Sequence, residues 1–150
     1  MDDFDYMRAA MELADEAAAA GEIPVGAVVV ERETGAIIGR GRNRREADAS
    51  PTAHAEILAI EEAAKKRGTW RLNGCILYVT LEPCPMCAGA ILNARLDRLV
   101  FGAYNAEGGA VVSADRLFDH PYGYRPRVTE GLLEYPCTEQ IQRFFQQLRK

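Results

Sequence analysis

The amino-acid sequence predicts an α/β fold in which helices cover both faces of a mixed sheet. Two observations support this prediction. Short β-rich runs alternate with amphipathic segments, and the run Cys75 to Leu81 is continuously apolar and β-branched, as in a strand buried on both sides. The chain has 150 residues, 48% hydrophobic and 27% charged, which suits one domain with a substantial core. We expect residues 1–150 to form that single domain.

The first part of the chain predicts a helix followed by a hairpin. Apolar residues at three- and four-residue steps indicate an amphipathic helix that ends at Gly21; they are Phe4, Met7, Met11, Ala14 and Ala18. Val25 to Val30 and Ala36 to Gly39 are β-rich runs, and Gly35 between them can adopt a positive φ. These runs are expected to pair as the first two strands.

A second helix is predicted from Thr52 to Arg67. Ser50 is a preferred N-cap residue, Pro51 suits the first helical position, and Gly68 ends the helix. This prediction places His54 in the first helical turn.

The rest of the chain predicts two more strands and two helices after the strand at residues 75–81. Pro83 opens a short helix that runs to about Asn93, and Leu99 to Ala103 is a fourth strand. Loops follow, with one helical turn around Asp115 to Phe118 and a fifth strand near Val128. A closing helix is indicated by an apolar stripe of Ile141, Phe144, Phe145 and Leu148.

The most informative feature is a split cluster of metal-binding residue types. His54-Ala55-Glu56 is followed by Pro83-Cys84-Pro85-Met86-Cys87, and this H-x-E and P-C-x-x-C pattern resembles the signature of zinc-dependent nucleobase deaminases. One imidazole and two thiolates supply three zinc ligands and leave a fourth position open for water, whereas structural zinc sites usually have four protein ligands. The cluster predicts one catalytic Zn²⁺ ion per chain, bound by His54, Cys84 and Cys87.

The positions of these residues on the predicted helices agree with that assignment. Cys84 and Cys87 lie at a helix start, where the partial positive charge of the helix stabilises thiolates, and three residues apart they share one face. Glu56 follows His54 by two positions, so its carboxylate points to a different side and is a poor fourth ligand. Glu56 is therefore the predicted catalytic acid and base.

Other interpretations of the cysteines remain open at this stage. A C-x-x-C pair alone could be a thioredoxin-like redox pair, although His54 and Glu56 would then have no role. A closed structural zinc site needs a fourth ligand, and the candidates are Cys75, His120 and Cys137. Otherwise Cys75 and Cys137 are core thiols. The corresponding alternative function is a zinc-stabilised RNA-binding or interaction module without catalysis.

Composition constrains the location and the partners. A net charge of −4 and a pI near 5.3 argue against a general nucleic-acid binder but allow a local basic rim. The group formed by Arg40, Arg42, Arg44 and Arg45 either contacts phosphates or is a solvated hairpin end. The longest apolar run, Ile23 to Val30, is far shorter than the roughly 20 residues of a spanning helix, and the acidic start lacks the features of a signal peptide. We expect a cytoplasmic protein without a membrane partner.

Beyond the zinc motif, the sequence resembles the bacterial tRNA-specific adenosine deaminases. The segments that carry this resemblance are Val25–Val29, Asn43, Pro51–Glu56, Leu77–Cys84, Met86–Ala90 and Val100–Ala103, with a weaker match at Phe144, Phe145, Leu148 and Arg149. The resemblance implies a three-layer cytidine deaminase-like fold with a five-stranded mixed sheet, and a homodimer. It also implies conversion of adenosine to inosine at the wobble position of the tRNA anticodon.

The resemblance further implies a substrate site. Asn43 and the backbone of Ala55 would hold the base, and the backbone near Leu81 and Glu82 would face the leaving ammonia. Asn105 matches a position that is commonly Asp and poised toward the RNA in the family, so Asn105 is a further candidate for substrate contact.

Two segments depart from the family pattern and keep a second substrate class open. Gly108–Asp115 stands in place of a G-S-L-M-N loop, and Tyr122–Arg127 replaces an Asn-His-Arg-like segment. Pocket shape and flanking contacts set substrate choice in this chemistry. A free nucleobase or nucleoside, such as guanine or cytosine, is therefore the alternative substrate.

Overall fold

The structure is a computed structural model that describes residues 1–149, and these residues contain four α-helices and five strands. In chain order the elements are α1 (Asp3–Ala19), β1 (Gly26–Glu31), β2 (Ile37–Arg42), α2 (Ala55–Arg67), β3 (Cys75–Leu81), α3 (Pro85–Ala94), β4 (Arg98–Ala103), β5 (Arg127–Thr129) and α4 (Glu134–Leu148). A short 3₁₀ helix at Leu117–Asp119 lies between β4 and β5.

The five strands form one mixed sheet in the order β2-β1-β3-β4-β5. β1 runs antiparallel to both β2 and β3, whereas β3, β4 and β5 are parallel. The C-terminal end of β2, the start of β1 and the C-terminal ends of β3 and β4 therefore meet at one edge of the sheet. Sites in α/β folds form at the carboxyl ends of parallel strands.

Helices cover both faces of this sheet and define two hydrophobic cores. The core under α2 and α3 contains Val29, Leu77 and Val79, and the core under α1 and α4 contains Val28 and Tyr78. Successive residues of β1 and β3 thus alternate between the two cores, as expected for strands with a two-residue side-chain period. The predicted three-layer α/β fold with a mixed five-stranded sheet is confirmed.

The prediction that α2 begins at Thr52 is wrong. The helix begins at Ala55, and His54 is its N-cap residue rather than a member of the first turn. The preceding segment forms a turn instead: the backbone N–H of Ala53 donates to the carbonyl of Ser50, and the Ala53 carbonyl accepts from the N–H of Arg44. These bonds draw the segment back against the end of β2, so tertiary contacts override the local N-cap signal.

β2 extends to Arg42, three residues beyond the predicted end. The reason is close packing against α2. A Cβ added at Gly41 would lie 2.1 Å from the carbonyl oxygen of Ala55, and one at Gly39 would lie 2.1 Å from that of Ala59. These glycines belong to the strand and allow the helix to approach its backbone closely.

Three smaller predictions also need correction. α3 begins at Pro85, not at Pro83, and the helical turn predicted at residues 115–118 occurs as the 3₁₀ helix at 117–119. Phe4 is 44% exposed, because the buried face of α1 is centred on other side chains; they are Tyr6, Met7, Ala10, Ala14 and Ala17. Among residues 1–149, no helix combines the length and hydropathy needed to cross a membrane.

Candidate active site

The candidate metal ligands sit at the N-termini of α2 and α3. His54 is the N-cap residue of α2 and Cys84 is the N-cap residue of α3, and neither side chain makes a capping hydrogen bond. Helices usually begin with Ser, Thr, Asp or Asn, whose side chains bond the first free N–H groups. The side chains of His54 and Cys84 do not bond these N–H groups and instead point to each other.

His54, Cys84 and Cys87 converge in a geometry that fits a metal ion. Nδ1 of His54 lies 3.7 Å from Sγ of Cys84 and 3.5 Å from Sγ of Cys87, and the three candidate ligand atoms all lie within 4.8 Å of one another. A tetrahedral zinc ion, with Zn–S bonds of about 2.3 Å and Zn–N bonds of about 2.0 Å, separates its nitrogen and sulfur ligands by about 3.5 Å. The donor set and its spacing therefore fit zinc.

Within residues 1–149, no further His, Cys, Asp or Glu joins this group. Cys75 lies buried in the core at the start of β3, and Cys137 is buried between α4 and β4, against Gly102. His120 bonds to Asp115 on the surface. None of the three candidates for a fourth ligand is part of the group, so the arrangement is that of an open site.

The ligand side chains strongly influence one another's protonation. A hydrogen bond with Cys87 lowers the pKa of Cys84 to about 4, while the same bond and burial raise the pKa of Cys87. The hydrogen bond with Cys84 raises the pKa of His54. Cys84 is thus the thiol of this pair that ionises first, and the thiolate is the form that binds metal.

Glu56 lies beside this group in the first turn of α2 and is only 4% exposed. Burial raises the pKa of its carboxyl above the usual value, and the nearby His54 opposes that shift. A buried carboxyl with a raised pKa next to a metal site is typical of groups that transfer protons.

These residues open into a small pocket of about 130 Å³. Its lining includes all five residues expected to contact substrate, together with His54, Glu56 and Cys84; the five are Asn43, Ala55, Leu81, Glu82 and Asn105. Ile23, Val25 and Arg45 complete the lining. Sequence reasoning singled out Arg45 within a basic group but missed Ile23 and Val25, because an apolar residue before a strand carries no signal that distinguishes a pocket wall from a core position.

Asn43 is held rigidly at one side of the pocket. Its Nδ2 donates to the carbonyl of Ile23 at 3.2 Å, and its Oδ1 accepts from the backbone N–H of Arg45 at 3.2 Å. Its own backbone N–H donates to the carbonyl of Val25. Asn43 therefore fixes the positions of three neighbours that also line the pocket.

The side chain of Glu82 is bonded to the loop that follows β4. Its carboxylate accepts hydrogen bonds from the backbone N–H groups of Asn105, Val111, Val112 and Ser113, and from the Ser113 hydroxyl. Desolvation alone would raise the pKa of Glu82, but the hydrogen bonds from Ser113, Val112 and Asn105 outweigh it and hold the pKa below the usual value. Glu82 is a charged, fully satisfied anchor.

The fold and the site define a deaminase of the cytidine deaminase-like class, and the sequence model of the MafB19-like deaminase family matches residues 1–149. The tRNA-specific adenosine deaminase of Haemophilus influenzae is 48% identical over 149 residues, which cover 99% of this chain and 86% of that protein. The chain belongs to the tRNA-specific adenosine deaminase family.

Solved structures agree with this placement. A structure from a study of A-to-I editing by deaminases at the wobble position of transfer RNA superposes with a TM-score of 0.86 at 44% identity, covering 91% of this chain and 98% of that chain. A guanine deaminase from Nitrosomonas europaea superposes with a TM-score of 0.84 at 27% identity, covering 95% of this chain and 84% of that chain. The fold is shared with both, but the sequence is closer to the tRNA deaminases.

Proposed function

We propose that this protein deaminates adenosine to inosine at the wobble position of a tRNA anticodon. The observation that carries the proposal is the convergence of buried Glu56 and the His54, Cys84 and Cys87 group on one pocket. The high identity to tRNA-specific adenosine deaminases supports adenosine in tRNA as the substrate.

We propose that His54, Cys84 and Cys87 hold one Zn²⁺ ion per chain. With three protein ligands, a bound zinc ion would keep one position for water and would lower the pKa of that water toward neutrality. The three side chains need no rearrangement for this role, because their observed separations already match those of a tetrahedral site.

Glu56 is proposed to move the protons. Its carboxylate accepts one proton from the attacking water and delivers it to a ring nitrogen as the water oxygen bonds to C6 of adenine. It then takes the second proton from the new C6 hydroxyl and passes it to the amino group, which leaves as ammonia when the C6–N bond breaks. The balanced reaction is adenosine plus water to inosine plus ammonia. Burial favours this shuttle, because a carboxyl with a raised pKa both takes up and returns a proton readily.

The pocket size suits a single base extruded into the site, whether that base is free or part of a tRNA. About 130 Å³ is well below the roughly 300–1,000 Å³ of pockets that enclose a drug-sized ligand. Asn43 and the backbone of Ala55 are proposed to hold the base, and the backbone near Leu81 and Glu82 is proposed to face the leaving ammonia. Asn105, at the end of the pocket nearest β4, is proposed to contact the substrate where it leaves the pocket.

We further propose that the protein is a cytoplasmic homodimer. Support for a dimer comes from an apolar surface formed by α2, α3 and the bend after α2, where Trp70 is 56% exposed. Trp70 borders a shallow cavity of about 300 Å³ with largely apolar neighbours, which include Ile57, Ile60, Ala64, Ala90 and Ala94. A second copy of the chain that covers this surface would remove it from water.

Ammonia release by the zinc-loaded protein tests the substrate. The panel consists of an anticodon stem-loop with a wobble adenosine, the same stem-loop with a wobble guanosine, free adenosine, guanine and cytosine. We expect turnover on the adenosine stem-loop and little on the free compounds. Turnover on guanine or cytosine alone would replace the proposed function with free-base deamination.

A further inference from the structure

The loop Asn105–Ser113, which follows β4, is fastened to a single buried side chain. The carboxylate of Glu82, a residue only 1% exposed, accepts hydrogen bonds from Val112 at 2.8 Å, from Ser113 at 3.0 Å and from Asn105 at 3.2 Å, all from backbone N–H groups. Val111 and the Ser113 hydroxyl also donate to it. Five donors on one carboxylate hold both ends of the loop.

The loop is also attached to the backbone beside Glu82. The N–H of Ala110 donates to the carbonyl of Pro83 at 2.8 Å. Just before the loop, the carbonyl of Ala103, the last residue of β4, accepts from the N–H of Glu82 at 2.8 Å. A Cβ added at Gly109 would lie 2.4 Å from the carboxyl carbon of Glu82. The loop backbone thus lies directly against the carboxylate, with no room for a side chain between them.

The anchored loop contributes a wall of the pocket through Asn105. The side chain of Asn105 is itself engaged in the loop, because its Oδ1 accepts from the N–H of Gly108 at 3.1 Å. The position of this wall therefore depends on how the loop is held and not on Asn105 alone.

A second buried glutamate holds the pocket wall formed after β2 in a similar way. The carboxylate of Glu22 accepts from the backbone N–H groups of Glu46 at 3.1 Å and Ala47 at 2.8 Å. These residues directly follow Asn43 and Arg45, which line the pocket. Both flanks of the site are thus held by a carboxylate that bonds backbone donors.

We propose that Glu82 is a positioning residue for substrate binding: its carboxylate fixes the loop Asn105–Ser113 as a wall of the pocket, so that substrate meets a preformed surface. The proposal rests on the proposed deaminase function. Glu82 acts through the loop and takes no part in proton transfer. Its loss weakens substrate binding and leaves the chemical step intact, which predicts a change in KM without a change in kcat.

The test is Glu82→Gln in the zinc-loaded protein, with KM and kcat measured on whichever member of the ammonia-release panel the wild-type protein turns over. Glutamine keeps the size of the side chain but places an NH₂ donor against backbone N–H donors. We expect KM to rise about tenfold, with kcat and zinc content within about twofold of wild type. Amide exchange at Val111, Val112 and Ser113 should become faster.

Two further variants separate positioning from general loss of stability. Ser113→Ala removes one of the five donors and should raise KM about two- to threefold, less than Glu82→Gln. Tyr78→Phe removes a partly buried hydrogen bond to Asp3 on the α1 face of the sheet and should leave KM unchanged.

Three results overturn the proposal: a fall in kcat at unchanged KM, loss of zinc from Glu82→Gln, or unchanged amide exchange in the loop. If the wild-type protein turns over a free base but not the stem-loop, the proposed function fails. A raised KM of Glu82→Gln on that free base still supports the positioning role of Glu82.

Discussion

Two glutamates line the same pocket and are almost equally buried, yet their surroundings differ. Glu82, after β3, receives five hydrogen-bond donors, and these hold its pKa below the usual value despite burial. At Glu56, at the start of α2, hydrogen bonds and nearby charge offset far less of the cost of burying the ionised carboxylate, so burial raises its pKa. Burial disfavours the ionised form of both side chains, and the donors around each one determine the outcome. The comparison separates a carboxyl suited to carry a proton from a carboxylate suited to hold a loop.

Removal of the metal should have the largest effect of the changes considered. It affects the group beside Glu56 and not the loop that Glu82 holds. Treatment with a chelator should abolish deamination, while the helices and sheet persist, because three ligands at two helix N-termini do not hold the two cores together. Activity and far-UV circular dichroism check this, with zinc re-addition as the control. Unfolding on chelation would instead indicate a structural metal site.

Substitution of Glu56 tests directly whether this carboxyl carries the proton. Glu56→Gln keeps the shape of the side chain but cannot carry the proton, so kcat should fall by about 10²–10⁴. The zinc content should be retained. The melting temperature should stay the same or rise slightly, because a neutral side chain replaces a buried titratable group. Normal deamination by this variant would rule out the proposed role of Glu56.

Gly109→Ala tests how closely the loop lies against Glu82. The added methyl would collide with the Glu82 carboxyl group and, at 2.6 Å, with the backbone oxygen of Asn105, so urea denaturation should show a loss of about 1–3 kcal/mol in the free energy of unfolding. Gly108→Ala is the matched control, because its Cβ would meet nothing closer than 3.4 Å. Equal effects of the two substitutions would contradict the close packing at Gly109.

Asp3 is a third carboxylate whose pKa depends on the hydrogen bonds it accepts, and it lies on the α1 face of the sheet. Hydrogen bonds from Arg98, and a further one from Tyr78, hold the pKa of Asp3 below its usual value. Since its folded pKa lies below its unfolded pKa, its stabilising effect is present above about pH 4 and is lost as the pH falls through the folded pKa.

Asp3→Asn should therefore cost about 0.5–1 kcal/mol at pH 7, a small value because the pair is partly exposed. The gap between the variant and the wild type should narrow as the pH falls below about 4. Denaturation at pH 7 and at pH 3 measures this gap, and a constant gap at both values would show that the charge of Asp3 is not its source.

The sequence predicts the order of the elements, because hydrophobic periodicity and glycine stops are local features. It also predicts that His54, Cys84 and Cys87 are one ligand set, because a redox pair would leave His54 and Glu56 without a role. The structure brings them together, while their binding of zinc remains a prediction. The start of α2 could not be predicted, because the hydrogen bond from the N–H of Arg44 to the carbonyl of Ala53 holds the preceding segment against the end of β2 and overrides the local cap signal.

The role of the Glu82 side chain could not be predicted either, because it depends on residues that are distant in the sequence. Its partners lie 23 to 31 residues away, and four of its five bonds go to backbone groups, which every residue type offers equally. The close approach of α2 to Gly39 and Gly41 could not be predicted either, because a glycine in a strand does not show which element packs against it.

The contact between Gly109 and Glu82 limits how this enzyme can be re-engineered. A chimera that takes its loop from another deaminase would separate the loop from the carboxylate that shapes it, unless Glu82, Gly109 and Ser113 are transferred together. The loop and its anchor form one exchangeable module, although 23 residues separate Glu82 from Asn105. Libraries that aim at new substrates should therefore randomise the outward-facing positions of the loop and leave these three residues unchanged.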